Sequence, residues 1–364
     1  MEIDPFLVSA GLSEKVEEFF ARLERDEGLC DEDDVFLYAV EHEVEKKVLA
    51  EVRERQRAVP GLKVWAHGYL ASWGDGDLTP GCAACLSGDN SAAIRSVASC
   101  NLSCPFCYYY GLEAPRLPRD VFQVGELLFT EDDLKVLVDK QGASLSGIAW
   151  VYFEPFLEFD KHPEVIRHVA DAGIHQWMYT NGTLCEERHF RRLAEAGLTE
   201  LRFNLAATGC SRQVLAKMKA ASRYFEYLVV ESPAYPAFVK RFLERRDEVI
   251  STGVTHVNLA ELHLEENNVE NFPGEVLYRY HRQYVSPVSS RQSAYDLIDV
   301  AAEERWPVVI NDCSNETKFY RGVHGPGAEA FGSNSWFEGK LTWMPKEWYL
   351  DAISRWDLES SWDW

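Results

Sequence analysis

Residues 163–197, PEVIRHVADAGIHQWMYTNGTLCEERHFRRLAEAG, contain two helical patterns on either side of a strand pattern. The first helical pattern covers 163–172 and ends at Gly173, and the second covers 186–196 and ends at Gly197. Each glycine stands where a left-handed helix cap is expected. Residues 175–179 between them form a short run rich in apolar and aromatic side chains, which is typical of a strand. The stretch therefore predicts a helix–strand–helix unit.

Similar runs recur along the chain, and a helical pattern generally follows each one. Their spacing fits one strand plus one crossover helix, which neighbouring parallel strands require. We therefore expect a parallel α/β array, in which ligands bind at the carboxyl ends of the strands. The runs cover residues 93–97, 148–153, 175–179, 201–205, 227–230, 256–260 and 308–310. Polar residues stand at several of their ends, namely Glu154, Thr180, Asn204, Glu231 and Glu261.

Composition and charge narrow the function classes. Of the 364 residues, 46% are hydrophobic and 26% are charged, so the chain can bury a sizeable core. Its net charge of -22 repels a nucleic-acid backbone. The first residues lack the regions of a signal peptide, and no apolar run approaches the ~18 residues of a membrane-spanning helix. We therefore expect a cytoplasmic protein that binds neither nucleic acid nor a membrane.

Three parts are expected along the chain. Residues 1–75 form an N-terminal helical extension, in which residues 13–57 are expected to be a solvated helix pair covering one face of the core. Residues 41–57 are its charge-rich part. Residues 76–325 form the core that contains the parallel array. Residues 326–364 form a Trp-rich tail that covers the barrel or forms an interface.

Cys100, Cys104 and Cys107 follow the first run of the array with the spacing Cys-x3-Cys-x2-Cys. Nine cysteines is an odd number in a chain without an export signal, which favours metal ligation over disulfides. Three thiolates on one tight loop suit an iron–sulfur cluster that keeps one iron open to a ligand. A structural zinc site is the alternative, but zinc usually takes paired Cys motifs separated by a longer loop.

The cysteine motif resembles the signature of the radical S-adenosylmethionine enzymes, Cys-x3-Cys-x-aromatic-Cys, with Phe106 at the aromatic position. Residues 152–155, Tyr-Phe-Glu-Pro, keep the Glu-Pro of the Gly-Gly-Glu-Pro motif of that family but replace both glycines. Residues 180–182, Thr-Asn-Gly, match a third motif of the family without change. Together these motifs cover roughly residues 80–315.

The resemblance implies a partial (β/α)6 TIM-like barrel with a [4Fe–4S] cluster on the three cysteines and S-adenosylmethionine on its open iron. Electron transfer would yield methionine and a 5'-deoxyadenosyl radical, which abstracts hydrogen from a small molecule or a protein side chain. It also implies oxygen sensitivity and an electron donor such as flavodoxin or ferredoxin. Two alternatives are aminocarboxypropyl transfer, which gives 5'-methylthioadenosine, and a non-enzymatic iron–sulfur electron carrier or sensor.

Residue roles also follow from the resemblance. Glu154 would accept a hydrogen bond from the ammonium group of the cofactor. Phe106 would lie near the adenine, Asn204 would bind the ribose hydroxyls, and Asn181 and Glu231 would also contact the cofactor. The side chains at 152 and 153 cannot adopt the conformations of glycine freely, which weakens the backbone part of the match.

Other residues are candidates for substrate chemistry or a second metal. Asp312 and Cys313 stand in a polar cluster after the last run, and Glu261 and His263 are candidate general bases. Ordinary strand-end hydrogen bonding is the alternative for each. Cys82 and Cys85 form a Cys-x2-Cys pair that a second metal could bind, with Cys313 as a further ligand. A redox-active dithiol and unligated thiols are the alternatives for this pair.

Overall fold

In the computed structural model of the protein, residues 12–25, 31–87, 91–113, 117–280, 284–324, 346–356 and 358 are described. The strands are β1 (Lys63–Trp65), β2 (Leu70–Trp73), β3 (Ser91–Arg95), β4 (Val121–Val124), β5 (Leu127–Thr130), β6 (Gly147–Val151), β7 (Gln176–Thr180), β8 (Glu200–Phe203), β9 (Tyr227–Ala234), β10 (His256–Glu261), β11 (Leu277–Tyr280), β12 (Tyr284–Pro287) and β13 (Val309–Cys313).

Helices connect most of these strands and flank the sheet. They are α1 (Leu12–Glu24), α2 (Asp31–Ala58), α3 (Pro80–Ser87), α4 (Glu131–Gln141), α5 (Pro163–Asp171), α6 (Glu187–Glu195), α7 (Arg212–Ala221), α8 (Pro236–Glu244), α9 (Arg246–Ile250), α10 (Val288–Glu304), α11 (Asn315–His324) and α12 (Lys346–Trp356). Gly173 and Gly197 have φ angles of 73° and 95°, so both take the left-handed conformation predicted for the ends of α5 and α6.

One 11-stranded sheet dominates the fold, in the order β1-β2-β13-β10-β9-β8-β7-β6-β3-β4-β5. The strands from β13 to β3 run parallel to their neighbours. Antiparallel pairs extend both edges, β4 and β5 beside β3 and β1 and β2 beside β13. Because β1 and β5 are edges, the sheet is an open, partial barrel. Each of the seven predicted runs overlaps a parallel strand of this sheet, so the expected parallel array is confirmed.

The two faces of the sheet differ in chemistry. Alternate residues such as Met178, Phe203 and Val257 are buried against the flanking helices in the main hydrophobic core. The opposite face is polar and carries linked side chains from four strands, described below. Helix α3 lies against this face at the amino ends of the strands, where Gly81 N donates to Glu200 Oε2 at 3.0 Å. The helix fills that end of the barrel, so the carboxyl ends are left to form a cavity.

A second hydrophobic cluster joins the N-terminal helices, the β11–β12 hairpin and α12. Trp348 and Trp356 of α12 are buried in it, so this part of the predicted tail packs on the N-terminal extension. The rest of 326–364 lies outside the described residues, apart from Leu358. Strands β1 and β2 fall within residues 1–75 yet belong to the main sheet, which the helical pattern did not indicate.

The charge-rich stretch of α2 is only partly solvated: Lys46, Glu51, Glu54 and Arg57 are exposed as predicted, but three carboxylates are not. Glu41, Glu43 and Glu45 are all buried. Glu41 lies 3.5 Å from Arg279 of β11 and accepts a hydrogen bond from the Tyr349 hydroxyl at 3.3 Å. Partners that are distant in sequence therefore allow the helix to bury its carboxylates. Among the described residues, no helix is long and apolar enough to cross a membrane.

Candidate functional site

A cavity of about 270 Å³ opens at the carboxyl ends of the parallel strands. Its size is near the lower end of the range for small-molecule sites. Side chains from the loop after β3 and from the ends of β7 to β10 line it. They include the sequence candidates Cys100, Cys104, Cys107, Phe106, Asn181, Asn204, Glu231 and Glu261.

The cysteine loop, defined here as residues 99–110, is organised by tight turns. Cys107 N donates to Cys104 O and Tyr110 N donates to Cys107 O, each at 3.0 Å. Two amide groups also point at sulfur atoms: Tyr109 N lies 3.4 Å from Cys107 Sγ and Asn181 Nδ2 lies 3.7 Å from Cys100 Sγ. Hydrogen bonds of this kind stabilise thiolates and tune the potential of a bound cluster.

The three thiols fit an iron–sulfur cluster. Burial, together with the charges of Cys100 and Cys107, raises the pKa of Cys104 to about 12, so the three sulfur atoms lie close enough to interact. Within the described ranges, no three Cys, His, Asp or Glu side chains converge on one metal ion. A cluster does not require such convergence, because each cysteine binds a different iron. Facing thiols on one loop, open to one cavity, match that donor set.

Glu154 is fully buried behind the cavity and holds the Thr-Asn-Gly turn. Its Oε2 accepts Asn181 N at 2.8 Å, while its Oε1 accepts the Thr180 hydroxyl at 2.8 Å and Phe156 N at 3.2 Å. Burial raises the pKa of this carboxyl, although the three donors oppose the shift. The geometry therefore gives Glu154 a tethering role, and the contact with the cofactor ammonium stays a prediction.

Tyr152 and Phe153 replace the two glycines but keep the left-handed backbone, with φ angles of 67° and 57°. This conformation is unusual for bulky residues and stores strain. The Phe153 ring lines the cavity, lies 4.7 Å from the Tyr109 ring and has the Arg95 guanidinium 5.0 Å from its centroid. Where the family motif has glycine, this chain therefore has an aromatic ring that packs on the cysteine loop.

The side-chain amides of Asn181 and Asn204 differ in how many of their hydrogen-bonding groups already have partners. Asn181 donates to Asn101 Oδ1 at 2.9 Å and accepts Thr183 N at 2.9 Å, so it organises the loops. Asn204 Oδ1 accepts Ala207 N at 3.2 Å, as the strand-end alternative expects. Within the described part of the chain, no hydrogen bond involves its amide nitrogen, which leaves a donor at the cavity wall. Phe106 lies across from the Tyr235 ring at 6.0 Å.

Glu231 lies within β9 and links the cavity to a buried network on the polar face of the sheet. It accepts a bond from Arg202 Nη1 at 2.9 Å and another from Asn258. Arg202 in turn bonds Glu200, Thr79 and Tyr179 and stacks over Trp177. Burial raises the pKa of Glu231, and Arg202 opposes that shift. The network therefore holds a carboxylate in place at the cavity floor.

The three predicted substrate residues are not brought together. Glu261 lines the cavity, but Tyr278 and Asn315 N occupy its two oxygens. Asp312 points to the other side of β13, where Arg291 Nη1 lies 2.6 Å from Oδ1 and the Tyr295 hydroxyl lies 2.8 Å from Oδ2. Asp312 is therefore part of a buried ion-pair network, because its position on the strand directs it toward α10. Cys313 is on the inner side, where burial raises its pKa to about 12.

The second metal site predicted at Cys82 and Cys85 is not formed by the residues that the structure describes. Cys82 is buried, and the Arg202 guanidinium lies 3.4 Å from its sulfur. Burial raises the pKa of the Cys82 thiol to about 11. A buried cation beside a protonated thiol disfavours a metal ion there.

The cavity wall after β10 lies beside the cysteine loop and includes His263, the second candidate general base. His263 is buried at the cavity, with Nε2 2.8 Å from Glu265 Oε1 and its ring 5.4 Å from that of Tyr108. Burial lowers the pKa of His263, while Glu265 opposes the shift. The Asn267-Asn268 pair after β10 is a sequence signal for a structured turn, and it contacts the cysteine loop directly.

Residues 94–229 match the family model of the radical SAM superfamily. This part of the chain, which contains the cysteine loop and strands β6 to β8, is therefore a radical SAM domain. Reductive cleavage of S-adenosylmethionine is the general chemistry of that superfamily. No protein of curated function matches the sequence significantly.

Among solved structures, the chain is similar to Streptococcus suis SuiB bound to S-adenosylmethionine, at 12% identity and a TM-score of 0.46. That alignment covers 62% of this chain and 50% of the SuiB chain. It is also similar to native anSMEcpe with bound AdoMet and Cp18Cys peptide, at 16% identity and a TM-score of 0.36, over 48% of this chain and 51% of that one. This chain thus spans about half the length of each of these two proteins.

Proposed function

We propose that the protein is a radical SAM enzyme in which Cys100, Cys104 and Cys107 hold a [4Fe–4S] cluster. The proposed reaction begins with reductive cleavage of S-adenosylmethionine and proceeds by hydrogen abstraction from a small molecule or a protein side chain. The observation that carries this proposal is the shared cavity. Three facing thiols open into the same space as polar side chains from neighbouring strand ends.

Different side chains around the cavity are proposed to bind different parts of the cofactor. When bound, a reduced cluster supplies the electron that breaks a carbon–sulfur bond of the cofactor. The Asn204 amide nitrogen and the Glu231 carboxylate offer a donor and an acceptor for ribose hydroxyls, and Phe106 offers an apolar surface for the adenine. Arg202 keeps Glu231 oriented through the bond at 2.9 Å.

The substrate is proposed to lie against the wall formed by Leu262, His263 and Tyr108. This wall combines apolar surface with the His263–Glu265 pair, and Lys318 Nζ lies 3.4 Å from Glu261 O nearby. Such a wall suits a ligand with an apolar body and at least one hydrogen-bonding group. Because the cavity is small, we propose a compact molecule or a single side chain as the substrate.

Anaerobic reconstitution tests the proposal. The protein is loaded with iron and sulfide, reduced with dithionite and, in a parallel arm, with reduced flavodoxin or ferredoxin, and mixed with S-adenosylmethionine. We expect 5'-deoxyadenosine by mass spectrometry, and its loss in Cys104→Ala but not in Cys82→Ser. 5'-Methylthioadenosine would instead assign aminocarboxypropyl transfer. A fully loaded cluster that gives neither product would assign an electron carrier or sensor and overturn the enzyme proposal.

A further inference from the structure

Three asparagines that follow β10 all donate to backbone carbonyl groups of the cysteine loop. Asn267 Nδ2 bonds Tyr108 O and Tyr110 O, each at 2.9 Å. Asn268 Nδ2 lies 3.4 Å from both Phe106 O and Cys107 O. Asn271 Nδ2 bonds Pro105 O at 2.9 Å. We call these three residues the asparagine clamp.

The clamp is itself built into a rigid turn. Asn268 N donates to Glu265 O at 3.1 Å, and Asn268 Oδ1 accepts Glu265 N at 2.8 Å. Asn271 N donates to Asn268 O at 3.0 Å. Asn268 is fully buried, so its side chain has one fixed orientation. The amides are therefore held in position independently of the loop that they bind.

The same turn carries part of the cavity wall. Glu265, which pairs with His263 at 2.8 Å, is the residue that Asn268 bonds on both its N–H and its C=O. On the other side, the Tyr108 ring of the cysteine loop contacts the His263 ring at 5.4 Å. The cysteine loop and the wall proposed to face the substrate are thus joined through one turn.

The cysteine loop needs such support for a physical reason. It contains no helix or strand, so fixing its backbone costs conformational entropy that local turns only partly offset. Side-chain amides bonded to successive carbonyls offset this cost without adding charge near the thiolates.

We propose that the asparagine clamp holds the cysteine loop in its cluster-binding arrangement before any metal is bound and couples it to the substrate-facing wall. Asn267, Asn268 and Asn271 are positioning residues in this scheme. The consequence for cluster assembly rests on the proposed function, whereas the holding of the loop does not.

The test compares the double variant Asn267→Ala/Asn271→Ala with the control Glu266→Gln/Glu270→Gln on the same turn. Asn267 and Asn271 are only half-buried, and both glutamates are exposed, so neither variant opens a large cavity in the core. Asn268→Ala is the third variant. Hydrogen exchange of the metal-free protein is followed at the Cys107 and Tyr110 amides, whose bonds close the turns of the loop.

We expect protection at these two amides to fall about 5-fold for each clamp residue removed, with the control unchanged. The melting temperature of the double variant should stay within about 2 °C of the parent protein, because Asn267 and Asn271 are half-buried and their bonds tie down a single loop. After reconstitution, the double variant should bind less iron, and the reduced cluster should give a broadened electron paramagnetic resonance spectrum. A purely structural role would lower the melting temperature and leave that spectrum unchanged.

Unchanged exchange at both amides in the double variant and in Asn268→Ala would overturn the clamp. The clamp would also be overturned if all variants bound the normal amount of iron and gave an unaltered electron paramagnetic resonance spectrum. If the parent protein itself takes up no cluster, the proposed function fails, and the exchange data on the metal-free protein still decide whether the clamp holds the loop.

Discussion

Glu154 Oε2 accepts the backbone N–H of Asn181 at 2.8 Å and so ties the turn after β6 to the turn after β7. Asn181 in turn donates to Cys100 Sγ at 3.7 Å. A buried carboxylate is thus connected to the first cysteine of the loop through one residue. A change at Glu154 should therefore reach the cluster site even when no cofactor is present.

Replacing Glu154 with Gln should lower the free energy of unfolding of the metal-free protein by about 1–3 kcal/mol. Both oxygens of the Glu154 carboxylate accept hydrogen bonds, whereas a glutamine amide has only one acceptor oxygen. Its NH2 group would therefore face an N–H or O–H donor and leave that donor unpaired. Urea unfolding measures this effect, and Glu126→Gln at an exposed turn serves as the control. Unchanged unfolding combined with lost S-adenosylmethionine affinity would instead show that Glu154 acts only as a cofactor ligand.

Cysteine variants separate the cluster thiols from the thiols of the barrel interior. Cys104→Ala should abolish cluster assembly, because only two thiolates would remain on the loop. Cys82→Ser should retain the full iron content, since Cys82 is buried beside the Arg202 guanidinium and lies outside the cysteine loop. Iron and sulfide assays after anaerobic reconstitution measure both outcomes. Iron loss in Cys82→Ser would restore the idea of a second metal site.

The left-handed backbone at Tyr152 predicts that glycine is more stabilising than alanine at this position, the reverse of their order inside a helix. Tyr152→Ala and Tyr152→Gly remove the same half-exposed ring, so the difference between them reports the backbone conformation. Tyr152→Gly should be more stable than Tyr152→Ala by about 1 kcal/mol, because glycine accepts a φ of 67° without strain.

The matched pair is Val136→Gly and Val136→Ala, at an exposed position inside α4. At this position the glycine variant should be less stable than the alanine variant by about 1 kcal/mol. Thermal or urea unfolding of the four variants measures both differences. The same order at both positions would show that residue 152 is not held in the left-handed conformation.

His162 predicts a loss of stability in mild acid. It is fully buried, with Nε2 2.7 Å from Ser96 Oγ, and burial lowers its pKa from 6.5 to about 4. The unfolded chain therefore binds more protons than the folded chain between these two pH values. The stability that the neutral His162 ring contributes is fully present above pH 6.5 and is lost as the pH falls through 4. The loss in the free energy of unfolding is about 3 kcal/mol.

His162→Gln removes the titrating group and should flatten this part of the stability profile. The measurement is the free energy of unfolding from urea titrations at a series of pH values. Carboxyl groups that titrate in the same range are common to both proteins, so the difference between the two profiles isolates His162. Parallel profiles would show that the imidazole is not neutral in the folded protein.

Local sequence signals predicted most of the parallel array. Strand runs alternate with helices whose ends are marked by Gly173 and Gly197, and these signals do not depend on distant residues. The β1–β2 and β4–β5 pairs were missed because their strands are short and β1 has no buried residue. The burial of Glu41 was missed for another reason: its partners Arg279 and Tyr349 are far away in sequence.

Motif spacing likewise predicted that the cysteines and Asn204 would share a site, and they line one cavity. It could not predict which side of β13 Asp312 faces, because that depends on strand register and on the position of Arg291. It also did not reveal that Asn267 would bond the carbonyl of Tyr108, since this contact joins two loops only after the sheet has formed.

The pairing of β2 with β13 sets an order of events during synthesis. Ser72 and Trp73 pair with Asn311 and Ile310, and residues 74–308 lie between the two strands. At the usual rate of translation the ribosome needs roughly 10–50 s to make that interval. Strand β2 therefore leaves the exit tunnel long before its partner exists, while the central strands can already assemble. Nascent chains that stall before residue 309 would expose β2 to chaperones and proteases.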